Sequence, residues 1–125
     1  MVLPVTFTFI GLYAIALVVL TSWIGLYRGA TNQLRGEGTD PVLFKRSRFH
    51  GNLVENAPAT ALVLGAGEAL GLGTNWLWLA VLSFIVGRAL YFVLYDQKMR
   101  ALPMTMTQFP AALIGVWVLY TLWMA

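Results

Sequence analysis

Arg48, Asn52 and Glu55 fall at i, i+4 and i+7, a spacing that sets them on one face of a helix. A second stretch carries a similar stripe, with Arg88, Tyr91 and Tyr95 at i, i+3 and i+7. Guanidinium groups hold carboxylates through paired N–H donors, and a lone carboxylate holds an ammonium or anchors an arginine. Two such faces turned toward each other make a basic, hydrogen-bonding cleft, across which Glu55 and Arg88 are expected to neutralise one another. An Arg–Glu pair serves equally well as structural glue that fixes helix register, and both readings stand at this stage. Lys45 and Arg46 read as snorkelling anchors. His50 has no second His within helical reach and the chain has no Cys, so no metal site is expected.

The setting makes these few polar groups informative. Of 125 residues 59% are hydrophobic and only 10% charged, against roughly 25% charged in a soluble domain. That excludes a soluble single domain, and it excludes disorder, which needs a polar chain poor in aromatics. Without cysteine there is no disulfide framework and no thiolate nucleophile of the chain's own. An integral membrane protein remains.

A helix needs about 20 mainly apolar residues to cross the hydrocarbon. Residues 5–27 carry no charge, and they are too long, with no preceding basic residue, for a signal peptide. They read as a retained first span. Gly29, Gly36, Gly38 and Pro41 mark a polar loop, with Asp40 placed to cap the next helix and Pro41 at its first position. Helix two covers residues 42–70, polar in its first half and apolar in its second, with Pro58 expected to kink it. Glu68 near its far end reads as interfacial. Helices three and four cover residues 76–95 and 102–124. The fold expected is an all-α bundle of four transmembrane helices.

Seven of the eight Lys and Arg residues lie in or beside the first and third connections. The positive-inside rule then puts loops one and three in the cytoplasm and both termini on the opposite side. Topology accounts for the formal charge of +3, so no nucleic-acid partner is expected.

Arg48-Phe-His50-Gly-Asn52-Leu-Val-Glu55, followed by Pro58, resembles the helix-two signature Arg-x-His-x-Asn-x-x-Glu of the MAPEG family, the membrane-associated proteins of eicosanoid and glutathione metabolism. Arg88 with Tyr95, Arg100 before Pro103, and Gln108-Phe-Pro110 continue the likeness along the chain. Among members it looks most similar to the short bacterial inner-membrane branch. The resemblance implies a homotrimer of four-helix subunits, with glutathione between neighbouring subunits in the cytoplasmic half of the membrane. Carried over residue by residue, Arg48, Asn52 and Glu55, then Arg88, Tyr91 and Tyr95, and Arg28 from the end of helix one, would contact glutathione. The implied activity is that of a glutathione-dependent transferase or peroxidase acting on hydrophobic electrophiles or lipid hydroperoxides. The alternative is a non-catalytic lipid- or glutathione-binding relative. Members with strong thiol chemistry carry an Arg near the start of helix four, usually followed by Ser, that stabilises the thiolate. Here residues 102–107 read Leu-Pro-Met-Thr-Met-Thr, which leaves Arg100 and Thr105 as the candidates for that role.

Overall fold

The computed structural model describes residues 1–36, 38–98 and 101–125. Four helices account for most of them: α1 (Pro4–Thr31), α2 (Pro41–Ala69), α3 (Thr74–Val93) and α4 (Ala101–Trp123), with no strand among the described residues. α1 runs four residues past its expected end. Thr31 turns its hydroxyl back onto the Tyr27 carbonyl (2.7 Å), and Asn32 then closes the helix in the left-handed conformation, φ 58°.

The starts of α1 and α2 are secured by carboxylates, in two different ways. Asp40 caps α2 locally: its Oδ1 accepts from the amides of Val42 (2.9 Å) and Leu43 (3.2 Å), and Pro41 takes the first position. Its Oδ2 accepts from the Tyr27 hydroxyl (2.6 Å) and from Gln33 Nε2 (2.7 Å), tying the loop to the end of α1. At α1 the residue in the capping position, Leu3, has no side chain able to cap. The missing acceptor comes from Glu68, on another helix. Its Oε1 accepts from the Val5 amide (2.9 Å), and its Oε2 from the Thr6 amide (2.8 Å) and hydroxyl (2.6 Å). Expected as an interfacial charge, Glu68 is a half-buried clamp between α2 and α1.

α3 and α4 lie closest together, and glycine permits it. A Cβ on Gly87 would meet the Pro103 carbonyl at 3.0 Å and Thr107 Oγ1 at 2.8 Å, so only a residue without one fits. The facing stripe of α4 reads Pro103, Thr107 and Ile114, all buried, with Pro110 half-buried between them. Pro110 has no N–H for the carbonyl of Met106 four residues back. Ser83 of α3 supplies the donor instead, 2.8 Å from that oxygen. α1 packs mainly on α2, and α2 touches all three other helices. The core between them holds Phe9 edge-on to Phe84 (5.1 Å, 84°) with Leu53, Ala57, Leu64, Leu77 and Val81.

Around this thin core the surface is greasy. Leu62, Trp76, Leu26 and Trp123 are each at least 65% exposed. The accessible area is 7880 Å², against roughly 6600 Å² for a compact monomer of this mass. α1, α3 and α4 are each long and apolar enough to cross a bilayer. α2 has the length, 29 residues, but its first half carries the polar groups.

Candidate functional site

The site is built from the inside outward, starting with Arg88. Its position on α3 continues the buried stripe of Leu77, Ala80, Val81, Phe84 and Gly87, and the residue is only 5% exposed. Nε and Nη2 both donate to Thr107 Oγ1 (3.0 and 2.8 Å), and Nη2 also approaches Met104 Sδ at 3.4 Å. The Thr107 hydroxyl spends its own proton on the Pro103 carbonyl, 2.8 Å away. The guanidinium lies 4.8 Å from the centre of the Tyr91 ring, where the quadrupole of the ring attracts a cation. Nη1 is buried and has no hydrogen-bond partner among the described residues.

Tyr91 links this cation to helix two. Its hydroxyl accepts from Asn52 Nδ2 (2.9 Å), which also donates to the Arg48 carbonyl (3.0 Å). Tyr95 stacks edge-on against Tyr91 at 6.0 Å, and Lys45 lies over Phe92 and Tyr95 at 4.2 and 5.5 Å. Arg46 stacks on Trp23 (4.3 Å) and Tyr27 (4.7 Å) while donating to the Trp23 carbonyl. On the exposed side of the α2–α4 contact, Gln108 of α4 donates to Asn56 of α2 at 2.9 Å.

The expected Glu55–Arg88 pair does not form within the subunit. Arg88 is inside and bonded to Thr107, Glu55 is exposed, and no carboxylate pairs with Arg88 among the described residues. The reason is rotational. The buried stripe of α2 runs through Leu53, Ala57, Thr60, Leu64 and Gly67, and the Arg48–Glu55 line lies nearly half a turn away from it. Asn52 sits at the edge of the buried stripe and turns in, while Arg48 and Glu55 stay outside.

The other expected site residues divide. Asn52, Tyr91, Tyr95 and Arg88 come together in one layer. Arg48 and Glu55 present themselves on the adjoining outer face of α2. Arg28 is turned back on its own loop, donating to the carbonyls of Gln33 and Gly36. Thr105 is exposed on α4, and Arg100 lies outside the described residues. Thr107, two residues beyond Thr105, is the hydroxyl that reaches the arginine. Sequence reasoning missed it, although Pro103, Thr107 and Pro110 share a helical spacing that marked this face.

The sequence profile of the MAPEG family matches residues 6–125. The chain belongs to the MAPEG family. The match takes in all four helices and every residue of the polar layer, so this MAPEG chain is an integral membrane protein whose family context is glutathione-related or lipid metabolism. No curated protein and no solved structure matches it.

Proposed function

We propose that this MAPEG protein is a membrane-bound, glutathione-dependent transferase or peroxidase for hydrophobic electrophiles or lipid hydroperoxides. In this reading all four helices span, in a bacterial inner membrane, with loops one and three cytoplasmic, and three copies assemble. The observation that carries it is the split polar layer: a buried, incompletely bonded Arg88 beside Tyr91 and Asn52, and a charged outer edge of Arg48 and Glu55 on the same helix as Asn52. Charged groups on a spanning helix avoid lipid, so that outer edge fits a boundary with a neighbouring copy. The tripeptide has two carboxylates and one ammonium, and the donor set suits it. Arg48 and Arg88 match the carboxylates, Glu55 the ammonium, and Asn52, Tyr91 and Tyr95 supply neutral hydrogen bonds. Arg28 at the loop end completes the carried-over set.

The chemistry that glutathione supplies is a thiolate nucleophile, formed from a thiol with an ordinary pKa of about 8.5. The chain's own contribution is positive potential at the site from Arg48 and Arg88, exclusion of water by the apolar helices, and hydrogen bonds from Arg100 or Thr105 to the sulfur. A second reading, binding without turnover, is favoured by the exposed position of Thr105. Purified protein in detergent distinguishes them. Thiolate absorbance on adding glutathione, and conjugation of a chlorinated aromatic above the buffer rate, are expected of the enzyme. Saturable thermal stabilisation by glutathione with neither signal supports binding alone, and a flat melting temperature removes both readings.

A further inference from the structure

The end of the bundle that carries loops one and three holds a cleft of about 550 Å³, between Trp23 of α1, the first turns of α2 and Phe92 near the end of α3. Two cations line it, each resting on an aromatic face. Lys45 Nζ lies 4.2 Å from the centre of the Phe92 ring, and the Arg46 guanidinium 4.3 Å from that of Trp23. No carboxylate pairs with either cation among the described residues. There the Lys45 ammonium has no hydrogen-bond acceptor, and Arg46 has only the Trp23 carbonyl. Their remaining donors are accessible, since Nη1 of Arg88 is the one buried side-chain nitrogen or oxygen without a hydrogen bond among those residues. Two carboxylates share the lining. Asp40 is saturated, with Val42, Leu43, Tyr27 and Gln33 all donating to it. Asp96, exposed at the α3 end, has no donor among the described residues. Val42 and Phe44, both exposed, give the cleft a hydrocarbon margin.

We propose that this cleft binds the head group of an aminophospholipid, with the phosphodiester between Lys45 and Arg46 and the primary ammonium toward Asp96. Basic pockets between spanning helices at the polar edge of the bilayer take lipid phosphates. An ammonium point charge beside a guanidinium offers such a group both charge and directed N–H donors. The four charged side chains of the lining cancel, which suits a head group that is neutral overall and disfavours a net anion. The ring faces of Trp23 and Phe92 already hold the chain's own cations, so no aromatic cage remains for a quaternary ammonium. A primary ammonium instead donates to the open carboxylate of Asp96. The cleft has room for roughly eighteen groups the size of a water, enough for the phosphate, the two-carbon amine and the adjoining glycerol. Its hydrocarbon margin selects a lipid over a soluble phosphate ester. The proposal draws no bond from Arg48, Asn52, Glu55, Arg88, Tyr91 or Tyr95, and so stands apart from the glutathione reading.

The test titrates the full chain in detergent with dioleoyl phosphatidylethanolamine and counts bound lipid by native mass spectrometry. Four comparison compounds each lack one feature. Dioleoylglycerol has no phosphate, the choline lipid no N–H donor, the glycerol lipid no ammonium, and phosphoethanolamine no acyl chains. The ethanolamine lipid is expected to bind saturably, and every comparison compound about fivefold or more weakly. Lys45→Gln and Arg46→Gln should each weaken it about fivefold, the effect of one basic residue on a lipid phosphate. Asp96→Asn should abolish its advantage over the choline lipid. Melting without added lipid checks that the variants are folded. Should Arg46→Gln fail to fold, Lys45→Gln decides alone, because the ammonium it removes bonds nothing among the described residues. Binding of any comparison compound as tight as that of the ethanolamine lipid overturns the proposal, as does an unchanged affinity in Lys45→Gln. So does the absence of saturable binding, the result expected if a neighbouring copy covers the cleft.

Discussion

The placement of Arg88 depends on one hydroxyl. Thr107 accepts two bonds from the guanidinium and donates one to Pro103, so its whole hydrogen-bonding capacity is used. Thr107→Val keeps the shape and removes the acceptor, leaving two more buried N–H groups of a cation unpaired. Hydrogen bonds to charged groups contribute about 1.5–3 kcal/mol, and an orphaned donor costs more than a neutral exchange. We expect Thr107→Val to lose about 2–3 kcal/mol in detergent unfolding, and Thr107→Ser to lose less than about 1. Equal losses would mean that the methyl, not the hydroxyl, matters. Asp40 makes a prediction of a different kind. Hydrogen bonds from Tyr27 and then Gln33 hold its carboxyl at about 2, against an ordinary 3.8. A depressed folded-state value means its contribution is complete above the ordinary value and is lost as pH falls toward about 2. Between about pH 4 and 2 the wild type should therefore lose stability faster than Asp40→Asn, which still caps but cannot titrate. Parallel acid profiles for the two proteins would contradict this.

At the scale of elements, close approach and borrowed caps decide what changes are tolerated. Gly87→Ala sets a Cβ against the Pro103 carbonyl, a backbone atom that cannot swing aside, and against Thr107. Overpacking of this kind costs about 1–3 kcal/mol. Gly65→Ala meets only a Thr6 methyl at 3.5 Å, ordinary contact, and should be neutral or stabilising by up to ~1 kcal/mol. A larger loss in Gly65→Ala than in Gly87→Ala, read from melting curves of the two, would refute this account of the α3–α4 contact. Glu68→Ala strips α1 of the acceptor for two amides and a hydroxyl, and should cost about 1–2 kcal/mol. Protection of the Val5 and Thr6 amides from hydrogen exchange should fall with it. The existence of four helices was legible in the residues, because uncharged stretches and the Asp40-Pro41 cap are local signals. What was not legible is how each helix is rotated. Periodicity groups residues by angle around the helix but not by which way that sector points, and packing divides the Arg48, Asn52 and Glu55 group, burying Asn52 and leaving the other two exposed. The same limit separates Thr105 from Thr107: two residues along a helix are roughly 200° apart, and only packing of Pro103 and Gly87 reveals which hydroxyl turns inward. Glu68 reaches a partner more than sixty positions away in the chain, beyond any local signal.

For the whole molecule the question is what covers the outside. Lipid suits Leu79 of α3 and Leu119 of α4, exposed hydrocarbon on helices apolar enough to span. It does not suit α2, where Arg48, Glu55 and Leu62 repeat every seven residues along one exposed line. An ionised carboxylate facing acyl chains is expensive, whereas against another copy's α2 or α3 it gains hydrogen bonds and company from arginine. The excess area, 7880 Å² against roughly 6600 Å² for a compact monomer, also favours association. A three-fold arrangement with the α2 lines turned toward the axis meets both demands, and it places the Arg48–Glu55 edge beside a neighbour, where the proposed glutathione site needs it. Because the chain has no cysteine, single-cysteine variants report this cleanly. Leu62→Cys, on the α2 line, should form intersubunit disulfides in membranes under mild oxidation, two copies of every three being joined. Leu119→Cys, on the lipid side, should stay monomeric on a denaturing gel. The reverse pattern would put α4 at the interface, leave Glu55 facing lipid, and remove the ground for a glutathione site between copies.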